Sequence, residues 1–371
     1  MQTSNSVVII GGGLAGLISG IHLAKNGLEV TILEKNEFPK HKVCGEYISN
    51  EVLPYLKSLQ LDIDSLQPKA IQKICLSLQS GKTITTKLPL GGFGISRYTL
   101  DYYLFEQAKK CGCTIKKEVV EKIVFIEDLF LIATNATSYQ AKVVLGAFGK
   151  RSNLDIDLNR EFIKKKSNYL GVKAHYKLNY PSELVGLHHF NGGYCGVSKV
   201  ENDMVNICYL ANYDSFKKYK SISEYQDKVV FENPNLKEIF KNATLQFEKP
   251  LTISQISFDK KECVKNHILM VGDTAGLIHP LCGNGMAMAI HSAKLVSEST
   301  LRFFESKLNR NELEREYTKK WNYNFKNRLK TGRYLEYLLQ KEKWANFILK
   351  ILTIFPFILP IIIKKTHGKP L

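Results

Sequence analysis

Val7-Val8-Ile9-Ile10-Gly11-Gly12-Gly13-Leu14-Ala15-Gly16 is the stretch whose reading decides the fold. Four apolar, largely β-branched residues make too short a run for a helix, so 7–10 reads as a strand buried on both faces. Leu14, Leu17, Ile18 and Ile21 then recur near helical spacing until Asn26-Gly27 stops them. Residues 29–33 form the next strand, and Glu34 stands at its carboxyl end. In this strand–turn–helix–strand unit Gly11 permits the tight turn. Gly13 lets the backbone approach a pyrophosphate, and Gly16 lets helix and strand pack closely. The helix N-terminus offers free N–H groups and a positive dipole end to the same pyrophosphate. Glu34 can accept both hydroxyls of an adenosine ribose, and Ala15 and Lys35 complete the expected contacts of this half. Dinucleotide binding follows, but this half alone does not choose between FAD and NAD.

The 371 residues suffice for two or three domains and a large core. The net charge of +17 is concentrated: from Ser306 to the end there are 15 Lys and Arg against 5 Glu. A basic tail points to nucleic acid or to an anionic membrane surface. With no nucleic-acid module in the sequence, the expectation is a membrane surface and no nucleic acid, a solvated helical face being the plainer alternative. Cys44, Cys75, Cys111, Cys113, Cys195, Cys208, Cys263 and Cys282 contain no CxxC pair. They read as reduced thiols of a cytoplasmic protein. The chain opens directly into a strand, without a signal peptide. The expected location is cytoplasmic, peripheral at the inner membrane face. Metal-ligand spacing and a Ser-His-Asp arrangement are both absent.

Further along, a polar loop at 40–47 leads to a helix over 50–59, and strands over 71–78 and 82–88 turn at Ser80-Gly81. An amphipathic helix covers 100–111. Residues 114–119, 123–126 and 130–134 read as strands, and 141–147 is another buried strand. Residues 168–211 change to short alternating runs separated by Gly, Asn and Pro, the pattern of an antiparallel sheet. Helices are expected over 221–230 and 236–242, with Pro234 between them, and a long helix over 286–304. The remainder is helical and basic. It ends in 344–363, an apolar stretch interrupted by Asn346, Lys350, Pro356 and Pro360. That stretch is too marginal to span a bilayer. It suits an interfacial helix with Trp344 and basic residues at the headgroups over 344–365; the alternative is a helix packed on the protein or on a partner subunit.

The opening unit is answered by Ile268-Leu269-Met270-Val271-Gly272-Asp273-Thr274-Ala275-Gly276. An Asp at the end of a core strand, just before a glycine-rich turn, can accept a hydroxyl of a ribityl chain. A helix starting near Gly285 would aim its N-terminus at the flavin C2 carbonyl and N1 and stabilise the negative charge of reduced flavin.

With these pieces the chain resembles the FAD-dependent oxidoreductases that unite aromatic hydroxylases of the para-hydroxybenzoate hydroxylase type with geranylgeranyl reductases. The matching residues are Gly11, Gly13 and Gly16 with Glu34, then Arg97 in Ser96-Arg97-Tyr98-Thr99. Next come Gly146-Ala147-Phe148-Gly149-Lys150-Arg151 and Gly272-Asp273 through Pro280 and Gly285 to Ser292-Ala293. The resemblance implies FAD held also by Cys44, Gly45, Arg97, Gly149, Gly283 and Met286, with NAD(P)H as reductant. Phe148 departs from the family, which carries an Asp there that serves cofactor and NADPH in hydroxylases. Val43-Cys44-Gly45-Glu46 is similar to the Pro-Cys-Gly-Gly of geranylgeranyl reductases.

The implied fold is α/β: a Rossmann-like FAD-binding domain with a parallel sheet (1–70, 98–160 and 256–305), an inserted antiparallel β-sheet substrate domain (71–97 and 161–255) and a basic helical tail with an apolar end (306–371). His279, in the loop expected over the isoalloxazine, and Cys44 are the catalytic candidates, each with a structural alternative. His175, His188-His189 and Glu46 are weaker candidates for contact with a substrate hydroxyl, and Tyr169, Tyr176, Tyr194 and Tyr209 for lining an apolar pocket. The expected activity is an NAD(P)H-dependent monooxygenase on a lipophilic, aromatic substrate. The alternatives are a reductase saturating prenyl double bonds, and a flavin-binding protein without net redox turnover.

Overall fold

The computed structural model describes residues 6–165, 167–339, 342–355 and 357–371. The first strand, Ser6–Ile10, lies inside a six-stranded sheet. Its order is Val264–Lys265, Ile268–Met270, Val143–Gly146, Ser6–Ile10, Glu29–Glu34 and Thr114–Lys117. Every neighbouring pair is parallel except the first. Val7, Val8 and Ile9 are buried, as a strand covered on both faces requires. The register sets Ile10 beside Gly146 and Leu33, and Gly146 beside Met270. The strands of the amino-terminal and carboxyl-terminal parts therefore end at one edge, where parallel α/β sheets bind ligands. Helix Leu14–Lys25 packs against Arg97–Lys110 and Gly285–Phe304.

A nine-stranded sheet faces that edge. Tyr169–Lys177, Met204–Asn212, Gly193–Lys199 and Leu184–Phe190 lie side by side in that order, each antiparallel to the next. Lys69–Ser77 joins them in parallel, followed by Thr83–Gly94 and Tyr47–Ser49. One face of Tyr169–Lys177 carries Leu170, Val172, Ala174 and Tyr176 into a core shared with Tyr225 and Leu236. The alternate face carries Gly171, Lys173 and His175 toward the nucleotide sheet. A small third sheet, Val120–Ile126, Leu129–Thr134 and Ser138–Ala141, follows Thr114–Lys117 in the chain.

Several boundaries differ from the sequence reading for local reasons. The helix expected from residue 100 starts at Arg97, because Ser96 caps it by accepting the Thr99 N–H at 3.1 Å. Pro234 starts the helix Pro234–Asn242 where it was read as a separator; a first-turn proline loses no helical hydrogen bond. The strand expected to end at 88 runs to Gly94 through Pro89 and Gly91, across a bulge opposite Ile71 and Lys73. Residues 50–52 form a 3-10 turn before the helix Leu53–Ser58.

The basic tail folds back on both sheets as helices Arg310–Leu339, Glu342–Ile354 and Ile358–Thr366. Tyr317 and Phe325 enter the main core, and the Tyr317 hydroxyl donates to the Met270 carbonyl at 2.6 Å. Arg328 reaches Glu51 at 3.2 Å. Leu352, Leu359 and Ile363 pack on Tyr47, Ile71 and Leu88. Pro360 falls in the first turn of its helix, where it is tolerated; Pro356 lies outside the described residues. Among the described residues no helix is long and apolar enough to cross a membrane.

Candidate functional site

One cavity of about 1090 Å³ starts at the shared strand edge and runs under the second sheet to the tail. A single drug-sized ligand occupies roughly 300–1,000 Å³, so this volume suits a dinucleotide with further space. Gly11, Gly13, Ala15, Glu34 and Lys35 line one end. Arg97, Cys44, Gly45, Gly149 and Asp273 line its middle with Pro280, Gly283, Gly285 and Met286. Gly16 and Gly272 stand behind this wall.

The glycine turn is set by close approach. A Cβ on Gly16 would lie 2.0 Å from the Gly11 carbonyl oxygen, and Gly11 itself has φ +109° against Ala147. Gly13 is different: a Cβ there would meet only Arg97 Nη2, at 3.9 Å. The space between Gly13 and the Arg97 guanidinium is thus a cradle with an uncapped helix N-terminus on one side and a cation on the other. Arg97 is held in it by two bonds to Asp101, Nε–Oδ1 at 2.6 Å and Nη2–Oδ2 at 2.7 Å. Lys42 donates to the same carboxylate at 2.8 Å. Burial opposes charge on both residues, but Arg97 and Lys42 hold the Asp101 carboxyl below its usual range, and Asp101 keeps Arg97 protonated.

Glu34 is oriented by Gly12 N (2.7 Å), Asn36 N (2.9 Å) and Asn36 Nδ2 (2.7 Å). At the far end of the cradle Thr274 Oγ1 accepts the Gly149 N–H at 2.8 Å, and Ser292 Oγ accepts that of Gly272 at 2.9 Å. Arg160, fully buried, donates to Asp155 and to the Thr274 carbonyl, both at 2.9 Å. Helix Gly285–Phe304 has no side-chain cap: Asn284 Nδ2 donates to the Thr366 carbonyl at 2.8 Å, and its Oδ1 accepts none of the first-turn N–H groups. Its free N–H groups therefore face the cavity at Gly285 and Met286. Diphosphate, ribose, ribityl chain and an electron-rich ring edge each meet suitable chemistry in order, so the residues fit FAD.

The loop carrying Cys44 is pinned from above. Asn206 Nδ2 donates to the Cys44 carbonyl at 3.1 Å. Glu46, wholly buried, accepts from Lys173 Nζ at 2.8 Å, His175 Nε2 at 2.6 Å and the Arg97 N–H at 2.8 Å. Its φ of 54° is left-handed, which costs a non-glycine residue roughly 1–2 kcal/mol. Burial alone would raise the Glu46 pKa; His175 and Lys173 outweigh it and hold the carboxyl below its usual range. Glu46 and His175 thus act on each other, where the sequence offered each to a substrate hydroxyl. The missing signal was long-range: Lys173 and Asn206 come from adjacent strands that only the sheet register aligns.

His279 does not line the cavity. It sits among Tyr194 and Phe258, ring centroids 5.5 and 4.6 Å away, and its Nδ1 accepts the Leu281 N–H at 3.4 Å. Burial pushes its pKa down to about 3, so the ring is neutral. His188 bonds Ser77 Oγ at 2.8 Å, and its pKa falls to about 4; His189, Tyr194 and Tyr209 line the cavity. Tyr176 packs on Phe240 in the opposite core. His291 too is depressed by burial, to about 3. The unfolded chain binds protons at these histidines from about pH 6.5 downward, where the folded chain does not. Stability is therefore expected to be level near pH 7 and to drop by about 1.4 kcal/mol per pH unit for each histidine as the pH falls through 6 toward 4. A melting temperature that stays flat over that interval would contradict these burials.

Residues 4–299 match the family model described as "FAD binding domain". The chain belongs to this family. It is an FAD-dependent oxidoreductase of the para-hydroxybenzoate hydroxylase and geranylgeranyl reductase superfamily. A digeranylgeranylglycerophospholipid reductase of Methanosarcina acetivorans is 24% identical over 348 residues, 86% of this chain and 81% of the relative. Conditioned medium factor receptor 1 of Dictyostelium discoideum is 25% identical over 81% of the chain, which spans only 64% of that receptor. The flavin-dependent brominase Bmp2 shares the fold, with a TM-score of 0.78 at 18% identity, covering 97% of this chain and 94% of the brominase.

Proposed function

We propose that this flavoprotein reduces carbon–carbon double bonds in a long prenyl or alkenyl chain. The observation that carries the reading is the far end of the cavity. Beyond Cys44 its wall is mostly hydrocarbon, built from Leu76, Leu88 and Val185 of the second sheet and Ile348, Leu352, Leu359 and Ile363 of the tail, with Ser77, Thr366 and His367 among them. A largely apolar bay excludes water and can bind a flexible alkyl chain through buried area, at about 25 cal/mol per Å². The names of the curated reductases point to the same chemistry.

Bound FAD, once reduced by NAD(P)H, would supply a hydride to one carbon of the double bond, and a proton drawn ultimately from solvent would complete the saturation of the other. Around the cofactor Gly13 and Arg97 would hold the diphosphate, Glu34 the ribose and Asp273 the ribityl hydroxyls. The pinned Cys44–Gly45 loop fixes the floor on which a double bond would lie, and Tyr194 and Tyr209 close the roof.

Hydroxylation of a lipophilic ring is the second reading, and one experiment separates the two. Purified holoprotein is incubated with NADPH and a geranylgeranylated lipid, with and without oxygen, and products are weighed by mass spectrometry. Anaerobic products heavier by two hydrogens per reduced bond are expected. Products heavier by one oxygen atom, formed only in air, would replace the proposal with the hydroxylase.

A further inference from the structure

We propose that the outer face of the last two helices is a docking surface for an anionic lipid bilayer. It lets the protein take an apolar substrate directly from a membrane, and in that respect it rests on the reading above.

These two helices are apolar on both sides. In Glu342–Ile354, Ile348 and Leu352 turn inward to the cavity. Trp344 (50% exposed), Phe347 (54%) and Ile354 (60%) turn outward. In Ile358–Thr366, Leu359 and Ile363 are buried and line the cavity, while Ile361 is 52% exposed. The connection between the helices presents Phe355 and Phe357 (64%) together, ring centroids 6.0 Å apart. Scattered single apolar residues are ordinary on a surface, but two aromatic pairs, Trp344–Phe347 and Phe355–Phe357, with two exposed isoleucines on consecutive short helices make a recognition patch.

Charge selects its partner. Lys350, Lys364 and Lys365 are exposed on the same two helices, in a tail with 15 Lys and Arg against 5 Glu. Aromatic rings flanked by lysines match the boundary between acyl chains and negative headgroups. No described helix is long and apolar enough to cross a membrane, and short helices with an apolar outer face and flanking lysines suit the plane of its surface. The inner faces of the same helices wall the apolar bay, which puts the substrate's reservoir and its binding site on two sides of one thin layer.

The two tryptophans provide the test. Trp321 is buried at 4% exposure and Trp344 is half exposed, so only Trp344 should respond to lipid. Full-length holoprotein is titrated with phosphatidylcholine vesicles containing or lacking phosphatidylglycerol, with no substrate present. A blue shift of Trp344 emission, quenched by brominated acyl chains, is expected with the anionic vesicles and should weaken in high salt. Phe347→Ser with Phe355→Ser and Phe357→Ser should lower partitioning by about a thousandfold, at roughly tenfold per ring removed. These outward side chains leave the core intact, and retained flavin absorbance and circular dichroism verify the fold. Absence of binding to either vesicle overturns the proposal; a Trp344 shift that instead follows protein concentration would assign the patch to self-association. Vesicle binding without reduction of a prenyl lipid would leave the surface standing and remove the substrate reading. Reduction of detergent-dispersed lipid without vesicle binding would do the reverse.

Discussion

Gly13→Asp is expected to give a folded, colourless protein. Gly13 has φ −83° and ψ −177°, extended backbone open to any residue, and a Cβ would find only Arg97 Nη2 within 4 Å. It is also the N-cap of Leu14–Lys25, a position where Asp is favoured. The fold should therefore survive, with a melting temperature close to that of the apoprotein. The new carboxylate, however, occupies the cradle and pairs with the guanidinium intended for the diphosphate. Like charges in contact cost several kcal/mol, so FAD affinity should fall about a thousandfold or more. Equilibrium dialysis with FAD and the visible absorbance of the purified variant read this directly. A variant that purifies yellow with unchanged affinity would show that the diphosphate lies elsewhere. Gly16→Ala is the contrasting case, because its Cβ collides with the Gly11 carbonyl at 2.0 Å and strains the turn itself.

Lys173→Met should cost about 3–5 kcal/mol of stability, the usual result of stripping one partner from a buried ion pair. Lys173 and Glu46 are both fully buried and 2.8 Å apart. Without the ammonium, the desolvation that opposes the Glu46 charge loses one of its two main counterweights. The Glu46 pKa then rises, so the folded variant takes up a proton more readily than the unfolded chain. Its deficit should consequently be largest at neutral pH and shrink as the pH falls toward 5. Adding Glu46→Gln should recover about half of the loss or more, since the orphaned charge is gone. Urea unfolding of the two variants at two pH values tests all three statements. A single variant within about 1 kcal/mol of the parent at neutral pH would mean that the cluster is not dry.

The site's two ends were legible because each is a local pattern. Gly11 to Gly16 and Glu34 lie within one strand–turn–helix–strand unit, and Asp273 follows directly on a core strand. Such units name themselves, since close backbone approach demands glycine wherever it occurs. The placement of His279 was less legible. Its loop position was visible, but whether the ring pointed into the cavity depended on Tyr194 and Phe258, which arrive from distant parts of the chain.

By itself, then, the sequence determined that a parallel sheet opens at Val7, that a glycine turn starts a helix after Gly13, and that an antiparallel sheet interrupts the first. Short-range sterics and hydrophobic period decide those features. Tertiary structure alone decided that Lys173, His175 and Asn206 grip the loop of Cys44 and Glu46, and that the basic tail turns back to wall the cavity. Both outcomes rest on burial among residues more than a hundred positions apart, where the energy comes from partners that local pattern does not specify.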